Sequence, residues 1–131
     1  MPIEQGKVID LARAYTEAWN SGSADAVAAF FADDAKIVIN RGESWEGRAR
    51  IAEMAARFHA EVHALRVFCD EVRAAGDHVA FIWTFTGTHA GTGNPLCVTG
   101  WEEWDLDRDL RVRLSRGWYD AEDYARQVAG V

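Results

Sequence analysis

The chain has 131 residues, 27% charged and 49% hydrophobic, with 21 acidic against 14 basic side chains and a formal net charge of −7. That length and balance describe one globular domain over 1–131, and the acidic excess repels phosphate backbones and anionic lipid, which argues against nucleic acid or a membrane surface as partner. The longest apolar run, 26–32, is far too short to span a bilayer. The N-terminus has neither a basic start nor an apolar stretch, so a cytoplasmic location is expected.

Residues 3 to about 21 place Val8, Leu11, Ala12, Tyr15 and Trp19 on one helical face, and Ser21, Gly22 and Ser23 end it. Ser23 is suited to cap a second helix over 24–31, with Val27, Phe30 and Phe31 inward. A short strand follows at 36–40. Beyond Gly47 a third helix over 48–62 carries the stripe Ile51, Met54, Ala55, Phe58 and Val62. Four strands come next, 65–74, 78–89, 96–106 and 110–120, joined by turns at 75–77, 90–95 and 107–109. A helix over 121–128 closes the chain. Consecutive strands with short turns pair antiparallel, so the fold class is α+β: a cone-shaped, curved antiparallel sheet with three N-terminal helices covering its concave face.

Alternation in the last two strands sets Val98, Gly100, Glu102, Trp104 and Leu106 on one inward face and Leu110, Val112, Leu114, Arg116 and Trp118 on the other. Glu102 and Arg116 therefore point among tryptophans. An unpaired buried charge costs several kcal/mol, so such groups neutralise, pair, or line a wet cavity. With Leu106 opposite Leu110, Arg116 is a diagonal neighbour of Glu102, and the preceding hairpin brings Trp83 close. Burial raises the carboxyl pKa and Arg116 lowers it. Two readings stay open: an acid or base poised near neutrality, or a structural ion pair.

Tyr15 and Trp19 stand one turn apart on the inner helical face, where a phenol can donate to a ligand oxygen. Asn40 ends the first strand, either at the cavity mouth or starting a turn. His89 shares the inward parity of Phe81 and Trp83, although a straight strand carries it about 20 Å from the level of Glu102. His59 and His63 have a metal-compatible spacing but no third ligand, so no metal site is expected. Cys69 and Cys97 lie in strands without metal spacing and read as small buried hydrophobes. No nucleotide-binding glycine loop or nucleophile elbow is present, and no cofactor is expected. Outward Trp101, with Thr99 and Tyr119, forms an aromatic patch on the convex sheet face that suits a homodimer.

Several segments carry a resemblance: 15–25 (YTEAWNSGSAD), 30–35 (FFADDA), 45–51 (WEGRARI), 76–80 (GDHVA), 86–91 (TGTHAG) and 118–130 (WYDAEDYARQVAG). In these the chain resembles the nuclear transport factor 2-like superfamily, and within it the SnoaL-like polyketide cyclases and ketosteroid isomerase homologues. The resemblance puts Tyr15 at the isomerases' oxyanion-hole tyrosine and Glu102 at their protonated aspartate, while their catalytic base falls on Ile39. The cyclases' pocket carboxylate and histidine fall near Glu102 and His89. It implies a small apolar carbonyl-containing ligand, with Glu102 removing an α-proton and Tyr15 or His89 stabilising the enolate. Trp19, Asn40, Trp83, Trp104, Arg116 and Trp118 would contact that ligand, and cyclisation or isomerisation would need no cofactor. The same fold also hosts non-catalytic ligand-binding or dimerisation domains.

Overall fold

Three helices lie in the first half of the chain and the four-strand run in the second, as the periodicity predicts, in a computed structural model that describes residues 4–131. The elements are α1 (Gln5–Asn20), α2 (Ala24–Ala28), β1 (Phe31–Ile39), β2 (Ser44–Glu46), α3 (Arg48–Glu61), β3 (Val62–Ala75), β4 (His78–His89), β5 (Pro95–Leu106), β6 (Val112–Tyr119) and α4 (Ala121–Ala129). Residue 3, where the first helix is expected to start, lies outside the described residues. Ser23 caps α2 by accepting the Ala26 N–H at 3.1 Å, and Asp120 caps α4 by accepting from Glu122 and Asp123. The helix α2 is shorter than expected because Phe31 already pairs with Val112 and is fully buried. Sheet pairing outweighs the local helical preference at that point.

The six strands form one curved, unclosed sheet in the order β2-β1-β6-β5-β4-β3. The meander from β3 to β6 is antiparallel, as short turns require. The expectation of a wholly antiparallel sheet is corrected at β1, which runs parallel to β6 with Ile37 beside Ser115, while β2 folds back on β1. Four register shifts bend the sheet, one of them in β1 between Phe31 and Lys36 where it runs beside β6. Two lie in β3, between His63 and Arg66 and between Cys69 and Glu71, and one lies in β6 opposite Asp105 and Leu106. An extra residue on one strand kinks it and increases its twist, which is how a sheet acquires a concave face.

The larger core joins Val8, Ala12 and Tyr15 of α1 and Ile51 and Ala55 of α3 to Ile37, Phe81, Trp104 and Val112 of the sheet. A smaller cluster of Val62, Val67, Phe85, Leu96 and Val98 lies beneath Tyr124 and Val128 of α4. Asn20 ties the end of α1 to β3 by donating to the Val67 carbonyl and accepting the Val67 N–H. Cys97 is exposed and Cys69 half-buried, so neither is the core residue expected. No helix among the described residues is long and apolar enough to cross a membrane.

Candidate functional site

Glu102 points into the sheet's inner face, as its parity requires, and is 8% exposed. Three donors converge on its Oε1: the Ser115 hydroxyl at 2.8 Å, the Tyr15 hydroxyl at 3.2 Å and the Trp104 indole N–H at 3.3 Å. Tyr15 arrives from α1, Trp104 from two residues along β5, and Ser115 from β6. Tyr15 and Trp104 are fully buried and meet edge to face with centroids 5.1 Å apart, and Trp104 stacks on Phe81 at 5.2 Å. Their rings are thereby fixed, and with them the direction of both donors.

No described protein donor reaches Oε2 of Glu102, and Glu102 is among the residues that line a cavity of about 170 Å³. The walls are predominantly aromatic and aliphatic: Trp19 and Phe58 on the helical side, Ile37 and Ile39 from β1, Phe81, Trp83 and Phe85 from β4, and Tyr119 from β6. Burial pushes the Glu102 carboxyl up, against the downward pull of Ser115, Trp104 and Tyr15. Burial also raises the Tyr15 phenol, and the nearby carboxylate raises it further. A proton is thus held more firmly at Glu102 than on an exposed glutamate.

Arg116 is corrected. The register shift in β6 lets Leu106 pair with Val112 but Asp105 with Leu114, so Ser115 and Gly117 turn inward and Arg116 turns out to solvent opposite Glu103. The expected Glu102 to Arg116 ion pair does not form. Ser115, the residue that replaces it, has no signal in an alternation counted from Leu110. Opposite Glu102 on β4 stands Phe81; Trp83 faces Gly100, where an added Cβ would lie 2.6 Å from its ring. Gly100 is needed there because the indole occupies the space a side chain would take.

His89 is also displaced from the site. It pairs with Val62 at the far end of β4, and its Nδ1 accepts the Thr92 N–H at 3.2 Å within the turn before β5. Asn40 serves the backbone: its Oδ1 accepts the Tyr119 N–H at 2.9 Å, and it does not line the cavity. Trp118 is among the residues that line the cavity, and its ring also stacks on that of Trp101 with centroids 6.3 Å apart. Tyr119, expected in the outer aromatic patch, turns inward instead.

At the mouth, three residues form a polar group that the sequence reading missed. The Tyr124 hydroxyl of α4 donates to Oε2 of Glu61, the last residue of α3, and the Tyr124 and Tyr119 rings meet edge to face at 5.8 Å. All three line the cavity. Burial first, and then the Glu61 carboxylate, push both phenols up. His59 is half-buried, with Nε2 3.0 Å from the Trp19 carbonyl, and no metal-binding cluster exists among the described residues.

Comparison with solved structures extends over nearly the whole chain. A protein with a ketosteroid isomerase-like fold from Catenulispora acidiphila, in complex with trimethylamine, is 23% identical with a TM-score of 0.84, covering 92% of each chain. A protein assigned as a SnoaL-like polyketide cyclase from a Jannaschia species is 20% identical with a TM-score of 0.86, covering 100% of this chain and 96% of its own. One assigned as a polyketide cyclase from Xanthomonas campestris pv. campestris is 25% identical with a TM-score of 0.78, covering 95% and 98%. Among proteins of curated function none matches. Residues 12–114 match the SnoaL-like domain model, and with the cone of helices and curved sheet around Glu102 this places the chain in the SnoaL-like family.

Proposed function

We propose that the protein binds a small apolar carbonyl compound in this cavity and that Glu102 acts on it as a cofactor-free acid/base. The observation that carries the reading is the asymmetry of a carboxyl group that borders the cavity: Oε1 is held by three donors while no described protein donor holds Oε2. In its ionised form Oε2 takes a proton from the carbon α to the carbonyl, and the electron pair moves onto the carbonyl oxygen. Returning that proton at another carbon gives isomerisation; attack of the carbanion on a second carbonyl gives aldol cyclisation. A pKa raised by burial makes the carboxylate a stronger base near neutral pH than a solvated glutamate. Tyr15 also lines the cavity, and its hydroxyl can pass from Oε1 to the enolate oxygen while Ser115 and Trp104 keep Glu102 in place.

Exchange of α-protons tests the reading without knowledge of the natural substrate. Small hydrophobic ketones incubated with the protein in heavy water should lose α-proton NMR signal faster than in buffer, and Glu102→Gln should remove the acceleration. Equal rates with both proteins would end the catalytic reading. A second reading has one observation in its favour: Ile39, where the resemblance aligns the isomerases' base, supplies only an apolar wall. On that reading Glu102 stays protonated and donates to a ligand oxygen, and ketones bind without exchange.

The proposal extends to a homodimer through the convex sheet face. Trp101 is 43% and Phe68 42% exposed on that face, beside the stacked ring of Trp118.

A further inference from the structure

Glu61 ends α3, at the negative end of the helix dipole. An acidic side chain is unfavourable there, and no described Lys, Arg or His lies within ion-pair distance of it. Its one side-chain partner is the Tyr124 hydroxyl, which leaves the negative charge uncancelled. The carboxylate nevertheless borders an aromatic cavity whose other ionisable carboxyl is Glu102, with no cationic side chain among the residues that line it. The rings of Trp19, Tyr119 and Tyr124 complete that wall. A negative potential bounded by π-faces attracts cations and repels anions.

We propose that the mouth of the cavity recognises a protonated amine or quaternary ammonium group, so that the ligand is an apolar carbonyl compound carrying a basic nitrogen. This rests on the reading of Glu102 as the group that acts at the carbonyl end. Tyr119 lies two residues along β6 from Gly117, the partner of Glu102, which is about 7 Å of strand. The nitrogen and the carbonyl are therefore separated by a short spacer. The size of the cavity also favours a small ligand: a pocket of about 150 Å³ is large enough for benzene. Substrates bearing carboxylate or phosphate groups are disfavoured by both carboxyls.

Three probes of one shape and different charge separate these effects: choline, dimethylbutanol, in which carbon replaces the nitrogen, and the tert-butylacetate anion. Calorimetric titration at neutral pH should give choline at least about tenfold tighter than the alcohol, a difference of about 1.4 kcal/mol, with the anion weakest. Glu61→Gln, its fold checked by circular dichroism, should bring choline and the alcohol to parity. Tyr124→Phe, which frees the Glu61 carboxylate, should keep or increase the preference. Alcohol binding as tight as choline in the wild type would overturn the proposal while leaving the α-proton exchange test of Glu102 standing. A preference abolished by Glu102→Gln and retained in Glu61→Gln would also overturn it, by moving the cation to the inner carboxyl. Loss of ketone exchange with the choline preference intact would instead sink only the catalytic reading.

Discussion

Ser115 donates a 2.8 Å hydrogen bond to Glu102 although the two are not cross-strand partners: Ser115 pairs with Trp104 and Glu102 with Gly117. The bond is diagonal, reaching past Gly117, the cross-strand partner of Glu102. It is also the shortest of the three bonds to Oε1, and the largest of the influences that lower the Glu102 pKa. Ser115→Ala should therefore raise the carboxyl pKa further. The pH at which ketone exchange reaches half its maximum should move up, by carbon-13 titration of the carboxyl as well as by rate. A profile that does not move would remove Ser115 from the site.

Burial of Glu102 has a linkage consequence with a definite sign. Its folded pKa lies above the unfolded value of about 4.3, so between the two the folded state binds more protons than the unfolded state. Stability from this group is then greatest below the unfolded pKa and falls as pH rises through the folded one, by about 1.4 kcal/mol for each unit of separation. Urea melts of Glu102→Gln against wild type should show that slope only in the wild type. Parallel curves from acid to neutral pH would contradict the raised pKa.

Tyr15→Phe removes one of three donors from a buried carboxyl without opening a cavity. We expect a loss of about 1–2 kcal/mol in unfolding free energy and a fall in ketone exchange of about 100-fold if the hydroxyl also serves the enolate. A stability loss with unchanged exchange would confine Tyr15 to positioning Glu102.

Two glycines on the cavity side should respond in opposite ways. At Gly100 an added Cβ would lie 2.4 Å from the Trp118 carbonyl oxygen and 2.6 Å from the Trp83 ring, so Gly100→Ala forces backbone apart and should cost about 1–3 kcal/mol. At Gly117 the nearest atoms are at 3.7 and 3.8 Å, ordinary contact distances, on Ile39 and Glu102. Gly117→Ala should fold normally and weaken ligand binding by narrowing the space at Oε2. Thermal melts and titrations of the two variants check both halves.

For the proposed dimer, equilibrium sedimentation at tens of micromolar should give twice the chain mass, and Trp101→Ser should shift it toward monomer. A wild-type monomer under those conditions would withdraw the convex-face assembly.

Helix faces were legible because a buried stripe repeats with every turn: Val8, Ala12 and Tyr15 all reach the core from positions the periodicity marks. The inward parity of Glu102 was legible for the same reason, since β5 alternates without interruption from Leu96 to Trp104. Arg116 and Ser115 were not, because a register shift depends on the pairing of two strands and leaves no mark on the composition of either. His89 and Asn40 were assigned to the site by parity and position alone, while turn and strand-end hydrogen bonds take their polar atoms. The group at Glu61 was hidden for another reason: Tyr119 and Tyr124 are neighbours in sequence, but nothing in the linear order brings Glu61 of α3 to them.

The irregularity in β6 gives that strand one residue more than its partner needs. A deletion at Arg113 or Leu114 is therefore absorbed, straightening the strand and leaving Ser115 facing Glu102. A deletion at Arg116 turns the remainder over and sends an indole toward the space now kept by Gly117. Sliding by a single position without any deletion would bring the guanidinium inward, beside a carboxyl it would hold ionised. The choice between two alignments of one strand is thus a choice between a carboxyl whose pKa burial raises and a salt bridge, and Gly117, where an added Cβ would already stand in contact with Ile39 and Glu102, favours the first.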